Sequence, residues 1–98
     1  MDTINAVGRR KASIARVFLD KGKGKITINK KDYKDYVFID YLQQEIEAPM
    51  KVIEMEKKFD IRVNVNGGGF KGQVEAIRLA ISRALVKLDE ENKPSLKK

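Results

Sequence analysis

Residues 59–88 place three patterns in succession, and few folds accommodate all three. Phe59, Ile61, Val63 and Val65 alternate with Asp60, Arg62, Asn64 and Asn66. A period of two marks a strand with one buried face. Gly67-Gly68-Gly69-Phe70-Lys71-Gly72 follows at once. Then Val74, Ile77, Ile81, Ala84, Leu85 and Leu88 recur in steps of three and four, while Lys71, Arg78, Arg83 and Lys87 fall outside the stripe. That spacing predicts an amphipathic helix from Phe70 or Gly72 to Leu88. The glycines let the backbone come close to another surface and turn helix N–H groups toward it.

The other segments are shorter. Residues 3–7 read as extended, and Gly8-Arg9-Arg10-Lys11 is a basic segment leading into a β-rich stretch at 12–19. Asp20-Lys21-Gly22-Lys23-Gly24 is a turn, and Ile26 and Ile28 alternate with Lys25, Thr27 and Asn29. Two strands joined by a short glycine-bearing loop predict a β-hairpin of 12–19 with 25–29. Asp32 is placed to cap a short helix through Tyr36. Tyr41, Leu42, Ile46, Met50, Ile53 and Met55 have loose helical spacing, and Pro49 predicts a break into two short helices. Residues 89–98 lose apolar periodicity, and Pro94 stops any helix there. With 98 residues the chain has length for one domain, 1–98, with a modest core. The order hairpin, helices, strand, helix predicts an α+β domain with one sheet face covered by helices.

Charge narrows the function. The net charge is +7, but residues 1–31 hold nine Lys/Arg against two Asp/Glu, residues 32–60 hold four against eight, and residues 61–88 hold five against one. Two basic blocks thus flank an acidic middle. A sequence pI of about 9.7 lies where nucleic-acid binders are enriched. A solvated basic surface would look similar on charge alone, as would a strand edge protected by charge at Arg9, Arg10, Lys11 and Arg16. The pairing of two blocks favours a polyanion. Arginine grips phosphate bidentately and stacks on bases, so the paired arginines favour structured RNA. A membrane surface would call for exposed Trp, Phe or Leu opposite the lysines. There is no Trp, and the best helix needs its apolar face for the core.

Other chemistries fit poorly. The loop satisfies G-x-G-x-x-G between a strand and a helix, but the helix is followed by Asp89-Glu90-Glu91-Asn92-Lys93-Pro94 rather than by the second parallel strand of a dinucleotide unit. Gly72 is followed by Gln73, so no Walker Lys-Ser/Thr pair is present. Four glycines in six residues exceed what a tight turn needs, whereas a loop lying against RNA phosphates would use them all. The absence of Cys and His removes the usual nucleophile and acid/base arrangements, and no carboxylate pair stands out, so no enzyme, metal or cofactor is expected. The lack of thiols fits a cytoplasmic setting. The seven aromatics show no RNA-recognition-motif pattern, so shape and phosphate recognition is expected rather than base stacking.

Taken in order, several segments carry a resemblance. Ala6-Val7-Gly8-Arg9-Arg10-Lys11-Ala12-Ser13-Ile14-Ala15-Arg16-Val17, Gly24-Lys25-Ile26-Thr27-Ile28-Asn29, Phe59 to Val65, Gly67 to Gln73 and Ala76 to Val86 together resemble the bacterial small ribosomal subunit protein nine family across essentially the whole chain. The resemblance implies a mostly antiparallel sheet with a left-handed βαβ crossover. It implies a structural place in the head of the small subunit, with rRNA and neighbouring ribosomal proteins as partners. Carried over by motif, Arg9, Arg10, Lys11, Arg16, Gly67, Gly68, Gly69, Lys71, Gly72, Arg78 and Arg83 become the expected RNA contacts. The family has a long basic tail after Leu96-Lys97-Lys98 that reaches peptidyl-site tRNA. That contact is expected from the tail and from no residue in 1–98. The other reading is a free-standing RNA-binding or nucleotide-binding domain that uses the Gly67–Gly72 loop.

Overall fold

The computed structural model describes residues 3–37, 39–52 and 59–88. They form β1 (Ile4–Arg10), β2 (Ser13–Lys21), β3 (Ile26–Ile28), β4 (Lys31–Asp32), α1 (Tyr33–Tyr36), α2 (Asp40–Val52), β5 (Phe59–Asn66) and α3 (Phe70–Leu88). The strands make one sheet in the order β1-β2-β5-β3-β4. All pairs are antiparallel except β3 with β5, which run parallel and are joined through α1 and α2. The fold is α+β, as the order of patterns predicted.

One face of the sheet is apolar. Ala15, Val17 and Leu19 of β2 and Phe59, Ile61, Val63 and Val65 of β5 point to the helices and are buried. α3 lies over β1 and β2 and presents Val74, Ala76, Ile77, Ala80, Ile81, Ala84 and Leu85 to them, and α2 adds Leu42 and Ile46 against α3. The closest approach is at Gly8. A Cβ there would sit 2.3 Å from the Ala76 carbonyl oxygen and 2.6 Å from the Ala80 nitrogen. Helix backbone meets strand backbone at that point, and only a residue without a side chain fits.

The predicted pairing of 12–19 with 25–29 is not what forms. β5 lies between β2 and β3. β5 pairs with β2 over its full length, from Ile14 opposite Asn66 to Lys21 opposite Phe59, whereas β3 is only three residues long. The longer ladder wins. The glycine-bearing loop instead spans the end of β5, where an Asp60 carboxylate oxygen accepts hydrogen bonds from the Lys23 and Lys25 amides, both at 3.0 Å. The hairpins lie elsewhere. β1 and β2 turn at Lys11-Ala12, with Lys11 at φ 57°. β3 and β4 turn at Asn29-Lys30, both at positive φ, as a type I′ turn requires. Asn29 has a further tie: its amide donates to the Val65 carbonyl and accepts from the Val65 amide, extending the β3–β5 ladder with a side chain.

Asp32 caps α1 as expected, its carboxylate accepting from the Lys34 amide. Pro49 does not split α2. A proline inside a helix costs about 3 kcal/mol, yet Leu42, Ile46 and Pro49 lie in steps of four and three on one buried side, and packing holds the turn. The expected apolar positions Ile53 and Met55 lie outside the described residues.

Two outcomes follow from these contacts. Gly8→Ala should lower stability by about 3 kcal/mol in urea melts, because the new methyl overlaps rigid backbone. The backbone N–H of Lys25, then that of Lys23, holds the Asp60 carboxyl below the usual carboxylate range. Its folded pKa is depressed, so its contribution is present above about pH 4 and is lost as pH falls through the lower folded value. Asp60→Asn should therefore weaken the fold near neutral pH and flatten the acid side of the stability profile.

Candidate nucleic-acid interface

The β1–β2 turn, the glycine loop and the first turn of α3 meet at one end of the molecule. Gly67 (φ 78°) and Gly68 (φ 63°) occupy left-handed backbone conformations that side chains disfavour. They also press on the turn: a Cβ on Gly67 would lie 2.3 Å from the Ala12 carbonyl oxygen, and one on Gly68 2.3 Å from Ser13 Oγ. A Cβ on Gly72 would come within 3.2 Å of the same hydroxyl. Ser13 is buried and donates to the Gly67 carbonyl at 2.9 Å. Gln73 Nε2 donates to that carbonyl at 3.1 Å, and Tyr36 Oη donates to Gln73 Oε1 at 2.8 Å. The loop is thus fastened from three sides.

This corrects the reading of the glycines. Gly67 and Gly68 are needed by the protein's own backbone and packing, and a side chain at Gly72 would crowd Ser13, so the number of glycines does not by itself indicate a ligand. Gly69 is the exception. It has no positive φ, and a Cβ there would meet nothing within 4 Å. Its carbonyl accepts the first helical hydrogen bond, from Gln73, so Gly69 is the N-cap of α3.

The basic residues divide into groups. Arg10 Nε donates to Glu75 at 2.6 Å. That hydrogen bond, and then the charges of Arg10, Lys11 and Lys71, hold the Glu75 carboxyl below its ordinary range. Lys11 and Lys71 are exposed and have no acidic partner of their own among the described residues. One acid thus stands among three bases beside the Gly69 backbone, and α3 has no acidic residue in its first turn. Arg83 and Lys87 serve the fold: they donate to the Val7 and Asn5 carbonyls on the outer edge of β1, at 2.9 and 2.7 Å. Glu75 therefore pairs with Arg10 rather than with a helix arginine. Arg78 is exposed on α3. Arg9 and Arg16 are also exposed, but on the sheet face turned away from the helices.

A family model described as ribosomal protein S9/S16 matches residues 8–98. The chain belongs to the ribosomal protein S9/S16 family. It is 54% identical over 97 residues to the small ribosomal subunit protein uS9 of Christiangramia forsetii, and 52% identical to those of Porphyromonas gingivalis and Bacteroides fragilis. Each alignment spans 99% of this chain and 76% of the relative. In this S9/S16 member a nucleotide fingerprint is also disfavoured by geometry, because Gly67 and Gly68 are turned onto Ala12 and Ser13.

Sequence reasoning missed Ser13, Gln73 and Tyr36, which fasten the loop, and the amides Asn64 and Asn66, which flank Arg16 on the open face. The period of two in β5 already placed both asparagines opposite the core. Nothing in the sequence linked Ser13 to a loop more than fifty residues later.

The glycines should separate by substitution. Gly68→Val should destabilise by roughly 2–3 kcal/mol, through backbone strain and overlap with Ser13. Gly69→Asp should stay within about 0.5 kcal/mol of the parent or exceed it, since aspartate is a favoured N-cap. Chemical denaturation of the two variants checks both.

Proposed function

We propose that the chain is a structural, non-enzymatic constituent of the small ribosomal subunit that binds rRNA through the end formed by the β1–β2 turn, the glycine loop and the first turn of α3. The observation that carries this is the grouping of Arg10, Lys11 and Lys71 around Glu75, the one acid there among the described residues, beside the unobstructed backbone of Gly69. Phosphate oxygens would find cationic side chains and an uncompensated helix N-terminus together. The relatives are named as small-subunit proteins, and the family match covers most of the chain.

The recognition suits a folded RNA read by shape and phosphate position. Gly67, Gly68 and Gly72 act by shaping the loop, Gly69 by leaving room, Arg10, Lys11 and Lys71 by charge, and Arg78 by extending the basic surface along α3. Arg83 acts indirectly, by holding α3 on β1. In this reading residues 1–98 are one rRNA-binding domain on cytoplasmic ribosomes in the head of the small subunit, beside other ribosomal proteins. No contact with peptidyl-site tRNA is assigned to these residues, and no membrane association is proposed.

Binding to small-subunit rRNA fragments should fall steeply with salt. With about five phosphates neutralised, log K against log salt should have a slope of roughly −3 to −5. Gly69→Asp should weaken binding about tenfold without loss of stability, and Lys11→Gln with Lys71→Gln should make the slope shallower by about two. Filter binding across a salt series tests this. A slope near zero, or an unchanged affinity in Gly69→Asp, would sink the assignment of the site.

A further inference from the structure

We propose that the Asn66-Gly67 peptide is a self-modification site: the Gly67 nitrogen closes on the Asn66 carboxamide, and the aspartate or isoaspartate that results unfastens the glycine loop. The effect on RNA rests on the rRNA-binding reading above, whereas the modification itself does not.

The chemistry is intramolecular. A bond forms from the Gly67 nitrogen to Asn66 Cγ as the Cγ–Nδ2 bond breaks. The proton of the Gly67 N–H leaves, through solvent, with the carboxamide nitrogen as ammonia. Water then opens the five-membered imide. Cleavage at Cγ leaves aspartate on an unchanged backbone. Cleavage at the main-chain carbonyl carbon of residue 66 routes the backbone through Cβ and Cγ, which adds one atom between β5 and the loop. No electrons are transferred, and water is the co-reactant.

The structure separates Asn66 from the other described asparagines, Asn5, Asn29 and Asn64. The nucleophile is the amide nitrogen of the next residue, so a side chain on that residue crowds ring closure. Ala6, Lys30 and Val65 each carry one, and Gly67 does not. Asn5 and Asn64 lie within strands, opposite Phe18 and Arg16. The Asn29 carboxamide is committed at both ends, donating to the Val65 carbonyl and accepting from the Val65 amide. Asn66 is the last residue of β5 and stands opposite Ile14 in the last pair of the ladder. It is exposed, and its side chain makes no hydrogen bond among the described residues. The Gly67 nitrogen lies just beyond that last pair.

The fold also guards the site. Ring closure turns the 66–67 peptide out of its extended setting. The pairing of Asn66 with Ile14 opposes this on one side. On the other, the Gly67 carbonyl is held by Ser13 Oγ at 2.9 Å and Gln73 Nε2 at 3.1 Å. The reaction therefore proceeds from a locally opened end of β5, and its rate reports how firmly the loop is fastened. The product then undoes that fastening. An extra backbone atom before Gly67 moves its carbonyl off both donors, and a new carboxylate stands at the base of a loop that carries Lys71.

The test incubates the 98-residue chain in mildly alkaline buffer and follows residues 63–71, released by trypsin, by fragmentation mass spectrometry. A gain of a single mass unit should appear at Asn66 sooner than at Asn5, Asn29 or Asn64, and an isoaspartyl methyltransferase should label the product. The rate should rise about fivefold in Ser13→Ala, or in Gln73→Leu should the first variant fold poorly, since each removes one hydrogen bond from the Gly67 carbonyl. Asn66→Gln, which would have to close a larger ring, should stay unmodified, melt with the parent and bind rRNA fragments as the parent does. The separated isoaspartate form should bind them severalfold more weakly. A rate at Asn66 no faster than at Asn64 overturns the site. Equal rates in the parent and the loop variants overturn the guard. An unchanged affinity of the isoaspartate form overturns its effect on the loop. Absence of rRNA binding in the parent itself overturns the rRNA-binding reading and leaves the modification standing.

Discussion

The basic end of this molecule depends on how closely its last helix lies on its first strand. Gly8 leaves no side chain between them, and the helix answers with alanine at 76 and 80. At that separation Arg83 and Lys87 reach the outer carbonyls of β1, groups that an edge strand otherwise exposes. The helix is then held at both its middle and its last turns, and its first turn has one place to go, against the Lys11-Ala12 turn. Gly67 and Gly68 follow from that placement, since a side chain at either position would push the two apart, and one at Gly72 would crowd Ser13. The loop is shaped from the far end of the helix as much as from its own residues.

Electrostatics follow from the same arrangement. The chain's acids are concentrated in residues 32–60, and α2 carries several of them. Among the described residues, only Glu75 is placed among the cations of the loop end, and it orients Arg10 without neutralising Lys11 or Lys71. The glycine loop meets the positive end of a nineteen-residue helix that has no acidic residue in its first turn. Backbone dipoles and side-chain charges therefore act in the same direction there.

Much of this was legible from periodicity. The β5 alternation, the α3 stripe and the Asp32 cap depend on neighbours a few residues apart, and each took the form its spacing predicted. The partner of β2 was not legible, because strand pairing is decided by total ladder length and burial over the whole sheet. Asp60 and Asn29, whose side chains direct the loop and the parallel edge, look like ordinary polar residues in the sequence. Pro49 was misread because a local rule was outweighed by the contact of Leu42 and Ile46 with α3. Among the candidate site residues, charge grouped neighbours in sequence, but the two faces of the sheet separate Arg9 from Arg10, and twelve residues of α3 separate Arg83 from Lys71. Membership of one basic cluster in sequence did not mean membership of one surface in space.

The position of β5 has a consequence for the order of events during synthesis. β2 and β3 are made early but are not neighbours, and the strand that joins them is made more than thirty residues after β3. Until β5 inserts, both carry open edges and the apolar face has no helix over it. Contacts this distant along the chain are slow to form and leave exposed edges exposed for longer. The lysines at 21, 23, 25, 30 and 31 border those edges, and charge of one sign discourages two nascent chains from pairing there. The same lysines that contribute to the protein's basic character would then keep its unfinished sheet soluble while the ribosome completes it.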